Sequence, residues 1–136
     1  MADPTETIQK LFDQQAVNYS NRDIEGMLAH YAPDGDLLFW SSEGGVCSSH
    51  DSLRLWYEAL FGQFEILSVG FRIESAWQSD ELIGSVSIWQ FETCLSETSM
   101  APQMQSLRAT HLLRKYDGYW KIAHIHSSPT QASADS

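Results

Sequence analysis

Three histidines near the C-terminus, His111, His124 and His126, could do chemistry if the fold places them together. Asp117-Gly118 stands between two alternating apolar runs, and this is a strong hairpin signal because a two-residue type I′ turn needs positive φ at both central positions. If the two strands pair directly across this turn, His111 faces His124, and His126 faces Ala109 two pairs further along on the same side. The sequence therefore predicts three histidines on one face of a hairpin.

Histidine suits proton transfer because its unperturbed pKa lies near ~6.5. One hypothesis is a pocket enzyme in which His111, together with His124, acts as general acid or base on a small, partly apolar substrate. A second is a zinc site, since His-x-His with a histidine across can place three imidazoles around the ion. We expect no metal, because no acid lies on this face of the hairpin to orient a ligand. The simplest alternative is that each histidine only hydrogen-bonds a neighbour.

The first half of the chain reads as helical. Asp3 can cap a first helix, and Asp23 can cap a short second helix that runs to about Ala32. Either Ser48 or Ser49 can cap a third helix. The third helix carries one apolar stripe, formed by Leu53, Trp56, Tyr57, Leu60 and Phe61.

The second half reads as strands. After a short strand over 36–40, the predicted long β segments cover 65–78, 82–96, 105–116 and 119–128. Pairing of the second and third of these segments would set Trp89 beside His111 and Glu92 opposite Arg108. Helices segregated from a run of antiparallel strands indicate an α+β domain, with the sheet wrapped over the helices on one face.

Length and charge limit the classes of function. The 136 residues fit one domain, and 8 Lys and Arg against 18 Asp and Glu give a net charge of −10. Such a chain repels phosphate backbones and anionic headgroups, so we expect neither nucleic acid nor a membrane as partner. The N-terminus lacks the charged and apolar regions of a signal peptide, which favours a cytoplasmic location. Cys47 and Cys94 form no Cys-x-x-Cys motif, so no disulfide framework is expected.

Two stretches suggest a family. Asn21-Arg-Asp-Ile-Glu-Gly-Met-Leu-Ala-His-Tyr-Ala-Pro-Asp34 and Tyr116-Asp-Gly-Tyr-Trp-Lys-Ile-Ala-His-Ile-His-Ser-Ser128 resemble the nuclear transport factor 2-like superfamily, and within it the SnoaL-like and ketosteroid-isomerase-like branch. The C-terminal stretch is also similar to the association domain of calcium/calmodulin-dependent kinases. The resemblance implies a cone-shaped bent antiparallel sheet wrapped over three N-terminal helices, in a single SnoaL-like domain over 1–128. The Ser- and Ala-rich composition of the residues that follow predicts a flexible tail over 129–136. The resemblance also implies a homodimer and a pocket for a small-molecule ligand.

Carried over by position, the catalytic tyrosine of the steroid isomerases falls near Gln15, their general-base aspartate near Trp40, and their oxyanion-hole aspartate near His111. All three differ here, so the steroid isomerase reaction itself is not expected. His111 faces the implied pocket, and the walls and substrate-binding residues are expected to be Gln15, Tyr19, Trp40, Trp56, Trp89 and His126. The resemblance implies an isomerase, cyclase or hydrolase without a cofactor; the alternative is a non-catalytic ligand-binding or oligomerisation module.

Overall fold

Three helices in the first half of the chain pack on a curled, open sheet of six strands, two of which precede the third helix. The computed structural model describes residues 3–41, 45–95 and 101–130. The helices are α1 (Pro4–Asn21), α2 (Ile24–Leu28) and α3 (His50–Gln63). The strands are β1 (Leu38–Trp40), β2 (Val46–Cys47), β3 (Phe64–Ser79), β4 (Leu82–Leu95), β5 (Gln103–Tyr116) and β6 (Tyr119–Pro129). The predicted α+β fold is thus confirmed. Most of the predicted tail over 129–136 lies outside the described residues.

The predicted helix starts are confirmed by their caps. The Asp3 side chain accepts a hydrogen bond from the amide of Thr5, and Asp23 caps α2. Ser49 caps α3. The second helix ends at Leu28 rather than near Ala32, because the chain there turns to pair with the last strand. The His30 carbonyl accepts from the Ile122 amide, and the Ala32 amide donates to the Ile122 carbonyl.

The strands lie in the order β2-β1-β6-β5-β4-β3. β1 runs parallel to β6, and the other neighbouring pairs are antiparallel. β1 is shorter than predicted, and β2 was not predicted. The inner face of the sheet packs on the helices, where Ile8, Phe12, Leu53, Ile83 and Leu113 are fully or almost fully buried. The core therefore lies between one face of the sheet and the helical layer.

The predicted hairpin forms, but its register changes partway along. Asp117 and Gly118 have φ of 52° and 85°. The strands pair as predicted up to Leu113 opposite Ile122. Ala123 then has no partner.

Ala123 is therefore the extra residue of a β-bulge. Beyond it, His111 faces Ile125, His124 faces Leu112 and His126 faces Thr110. The prediction that three histidines share one face is wrong, because one inserted residue moves all later side chains to the other side.

The pairing of β4 with β5 also differs from the prediction. Ser85, not Trp89, lies directly opposite His111, and Trp89 pairs with Leu107. Glu92 faces Met104, so the predicted pair between Glu92 and Arg108 is not formed. The actual register is displaced by an even number of residues, so Trp89 still lies on the same face as His111.

Candidate functional site

A cavity of about 540 Å³ lies between the helices and the inner face of the sheet. Small-molecule sites usually have this size and a mostly apolar lining. Much of the wall is aromatic, formed by Phe12, Tyr19, Tyr31, Phe39, Trp56 and Trp89. Among the described residues that line the cavity there is no Asp, Glu, Lys or Arg. The cavity therefore offers an uncharged, largely apolar surface inside an acidic protein.

Five of the predicted site residues meet in this cavity. They are Gln15, Tyr19, Trp56, Trp89 and His111. Their roles in binding or catalysis stay predictions.

Three predicted site residues lie elsewhere. His124 and His126 lie on the outer face of the sheet because of the bulge in β6. Trp40 is 49% exposed and its ring centroid lies 5.5 Å from that of His126. The prediction that Trp40 forms part of the pocket wall is therefore wrong. Phe39, one residue earlier in β1, faces inward and takes that place.

His111 is buried against aromatic rings. Its ring centroid lies 4.6 Å from that of Phe12 and 6.5 Å from that of Trp89. Burial, with a smaller contribution from the charge of His124, lowers the pKa of His111 to about 3. At neutral pH the side chain is therefore a neutral imidazole.

One ring nitrogen of His111 is available to a ligand. Nδ1 is sealed from solvent and has no hydrogen-bond partner among the described residues. Nε2 is not sealed in this way, and the residue lines the cavity. A neutral imidazole can donate from one nitrogen and accept at the other, so Nε2 can serve either role according to the tautomer.

Two tyrosine hydroxyls pair in the core beside the cavity, with a third tyrosine ring next to them. The hydroxyls of Tyr31 and Tyr57 lie 2.6 Å apart, and the ring centroid of Tyr19 lies 5.9 Å from that of Tyr57. Burial raises the pKa of Tyr19 to about 12 and raises those of Tyr31 and Tyr57 well above 10. These phenols stay protonated, so Tyr19 and Tyr31, which line the cavity, present neutral hydroxyl groups to it. Tyr31 was not among the predicted site residues, although Met27, Leu28 and Tyr31 follow a helical apolar period that indicates burial.

Gln15 is fixed by hydrogen bonds within the helical layer. Its Nε2 donates to the carbonyl of Met27 at 3.5 Å, and its Oε1 accepts from Asn18 at 3.0 Å. Asn18 in turn accepts from Gln14. Gln15 therefore forms a positioned polar point in a mostly apolar wall.

The observed strand register does not bring the three histidines together as the zinc hypothesis requires. His111 lies on the inner face, and His124 and His126 lie on the outer face. Within residues 3–41, 45–95 and 101–130 no group of three side chains is arranged to hold a metal ion. The helices in these ranges also include none with the length and apolar character to cross a bilayer.

The fold and cavity together define a cone-shaped α+β pocket protein. The model of the SnoaL-like domain matches residues 8–132, and the chain belongs to this family. The predicted resemblance is thereby confirmed. No curated protein sequence matches the chain significantly.

Solved structures of low sequence identity share the fold. A ketosteroid isomerase-like protein from Erwinia carotovora atroseptica is 17% identical, with a TM-score of 0.83 over 96% of this chain and 99% of that one. A nuclear transport factor 2-like protein from Cytophaga hutchinsonii is 16% identical, with a TM-score of 0.75 over 95% and 100%. A candidate calcium/calmodulin-dependent protein kinase type II association domain from Thiobacillus denitrificans is 16% identical, with a TM-score of 0.68 over 88% and 91%. At these identities the likeness establishes the fold alone.

Proposed function

We propose that this chain binds a small, uncharged, largely apolar molecule in the cavity and acts on it as an isomerase, cyclase or hydrolase. The observation that carries the proposal is the cavity of about 540 Å³ with aromatic walls and no charged lining residue in the described part of the chain. A charged ligand would lose its hydration there without gaining an opposite charge. An uncharged aromatic or alicyclic ligand loses little hydration free energy and gains contact with the aromatic rings of the wall.

His111 is the proposed catalytic residue. It lines the cavity, and its low pKa keeps the ring neutral, so it can polarise a ligand oxygen by donating a hydrogen bond. The same low pKa makes it a weak proton acceptor near neutral pH, so we assign it the general-acid role. His124 is no longer a candidate partner, because it lies on the outer face. The proposal therefore relies on one histidine.

Binding can be tested with a pair of dyes that share a scaffold. N-phenylnaphthylamine is uncharged, and anilinonaphthalene sulfonate carries one negative charge. We expect the uncharged dye to bind with one site per chain and the sulfonate to bind at least about tenfold more weakly, since no lining cation compensates the lost hydration. Tighter binding of the sulfonate, or no binding of either dye, would contradict the proposal.

Substitutions on α3 test whether the dye binds in the cavity. Ala59 is exposed at the cavity opening and lines it, so Ala59→Trp should block entry and weaken dye binding at least about tenfold. Leu55 is 68% exposed on the same helix and does not line the cavity, so Leu55→Trp is the matched control. Equal effects of the two variants would place the dye outside the cavity.

The catalytic part is tested by turnover. Native mass spectrometry of untagged protein, compared with the denatured mass, gives the mass of any co-purified molecule and so a first substrate to assay. His111→Gln should lower turnover at least about 100-fold, the range of general acid–base catalysis, and His126→Gln on the outer face should not. Unchanged turnover in His111→Gln would remove this residue from the mechanism.

A non-catalytic ligand-holding role is the second candidate. It is favoured by one observation, that no carboxylate lines the cavity beside His111 in the described residues. Under this role the ligand leaves the protein chemically unchanged, and mass spectrometry of the released ligand after incubation separates the two candidates.

We also propose that the protein is a homodimer joined through the outer face of the sheet. This face carries the exposed side chains of Trp40 and Trp77 and the partly buried side chain of Leu112, and none of the described elements forms a layer over them. Light scattering after size exclusion should give twice the chain mass. Leu112→Arg should give one chain mass, and Leu55→Arg on α3 should leave the dimer intact. If the wild-type protein instead had the mass of one chain, the dimer would be contradicted.

A further inference from the structure

The open end of the cavity differs in chemistry from its deep end. Gln63 at the end of α3 and Gln105 near the start of β5 both line the cavity and are exposed, so they mark its opening. His111 lies six residues beyond Gln105 on the same strand and the same face. At about 3.4 Å per residue the two positions are about 20 Å apart. A ligand that fills the cavity therefore has one end near His111 and another near the two glutamines.

The polar side chains at this opening are free to bind a ligand. The side chains of Gln63, Gln105 and Thr93 have no hydrogen-bond partner among the described residues. Thr93 is only 5% exposed, yet its hydroxyl is not among the sealed unpartnered atoms, so it reaches the cavity space. An unpaired hydroxyl that is this far buried indicates a position that a ligand or water completes.

All three groups are uncharged, and this limits the ligand. Carboxylates and phosphates are recognised by Arg or Lys, and neither residue type lines the cavity in the described ranges. Amide side chains offer one acceptor and two donors, and a hydroxyl offers both roles. An amide, a hydroxyl or a similar neutral group on the ligand can therefore hydrogen-bond to these three side chains.

We infer that the ligand is two-ended: an apolar body that reaches His111 and an uncharged polar group, of the amide or hydroxyl class, bound at the opening by Gln63, Gln105 and Thr93. This inference rests on the proposed binding function and adds that the end of the ligand at the cavity opening is polar. The three side chains act as specificity determinants, because they distinguish ligands that share a body and differ at that end.

Three hydroxybiphenyls test this inference, with a carboxamide, a carboxylate or a methyl group at the far para position. Isothermal titration should show that the carboxamide binds about tenfold more tightly than the methyl compound, as two net hydrogen bonds would give. The carboxylate should bind more weakly than the carboxamide. The double variant Gln63→Leu with Gln105→Leu should bind the carboxamide and methyl compounds equally. Thr93→Val, which keeps the side-chain shape, should reduce the carboxamide preference in part.

Gln90→Leu is the matched control, because Gln90 is an exposed glutamine on β4 that does not line the cavity. It should keep the wild-type preference. Equal binding of carboxamide and methyl compounds to wild type, or a preference that survives the double variant, would overturn the inference while leaving the proposed binding function intact. Failure of all three compounds to bind would overturn the binding function as well.

Discussion

His111 and Ile125 lie directly opposite each other across β5 and β6, and this pairing decides which side of the sheet each neighbouring histidine occupies. Both side chains are buried on the inner face. His124 and His126, on either side of Ile125 in sequence, therefore point to the outer face. The result is one neutral histidine in the cavity and two on the opposite surface.

Deleting Ala123 should remove the bulge and leave the faces of the later residues unchanged. Leu112 would still face His124 and His111 would still face Ile125, because Ala123 has no partner on β5. We expect a loss of about 1–2 kcal/mol in the free energy of unfolding, measured by urea denaturation, for the lost buried methyl group. Deleting Ile125 instead would set a histidine opposite His111 in the core and should cost several kcal/mol. Equal costs of the two deletions would contradict the observed register.

Stability should depend on pH through His111. Its pKa of about 3 in the folded protein lies below the unfolded value, so below about pH 6.5 the unfolded state binds more protons than the folded state. The contribution of His111 to stability is therefore complete above about pH 6.5 and falls as the pH drops toward 3, by up to about 1.4 kcal/mol per pH unit. His111→Gln should show a shallower fall between about pH 7.5 and pH 5.5.

Ile125→Val serves as the control for that measurement. It shortens the side chain opposite His111 and should lower the free energy of unfolding by about 1 kcal/mol at both pH values. Because His30 and His124 also have lowered pKa values, the difference between variants is the informative quantity. Parallel curves for wild type and His111→Gln would show that His111 is not a buried neutral group.

Tyr57→Phe should weaken the helical layer. The change removes the hydroxyl to which Tyr31 is hydrogen-bonded and leaves the buried hydroxyl of Tyr31 without this partner. We expect a loss of about 1–3 kcal/mol in the free energy of unfolding. Tyr119 is 71% exposed, so Tyr119→Phe should change stability by less than about 0.5 kcal/mol. Similar small effects at both positions would argue against the hydrogen bond between Tyr31 and Tyr57.

Substitution of two tryptophans distinguishes binding in the cavity from binding on the outer surface. Trp56 lines the cavity, and Trp40 lies outside it. Trp56→Leu should weaken binding of N-phenylnaphthylamine at least about fivefold, because it removes aromatic contact area, and Trp40→Leu should leave binding unchanged. Fluorescence titration measures both. A larger effect at Trp40 would locate the dye on the sheet surface.

Local chemistry made much of the fold predictable. Asp3, Asp23 and Ser49 cap helices where the sequence places them, and Asp117-Gly118 forms the expected turn, because each signal acts within a few residues. The bulge was missed, yet two successive apolar residues at Ile122 and Ala123 break the alternation of β6 and could have indicated it.

Other site features depend on contacts between distant segments. Whether Phe39 or Trp40 faces the cavity is set by the parallel pairing of β1 with β6, in which Phe39 lies beside Ile125. Both residues are large aromatics, so their composition alone gives no preference for either side. The placement of both Gln63 and Gln105 along the cavity likewise depends on how α3 lies over the sheet.

The central claim is that an uncharged molecule binds in the cavity against His111. The most direct measurement is proton–nitrogen correlation NMR of the histidine side chains with and without saturating N-phenylnaphthylamine, with signals assigned through His111→Gln, His124→Gln and His126→Gln. The account predicts that the ring signals of His111 shift and that those of His124 and His126 do not. Shifts confined to the two outer histidines, or an unchanged His111 at saturation, would contradict it.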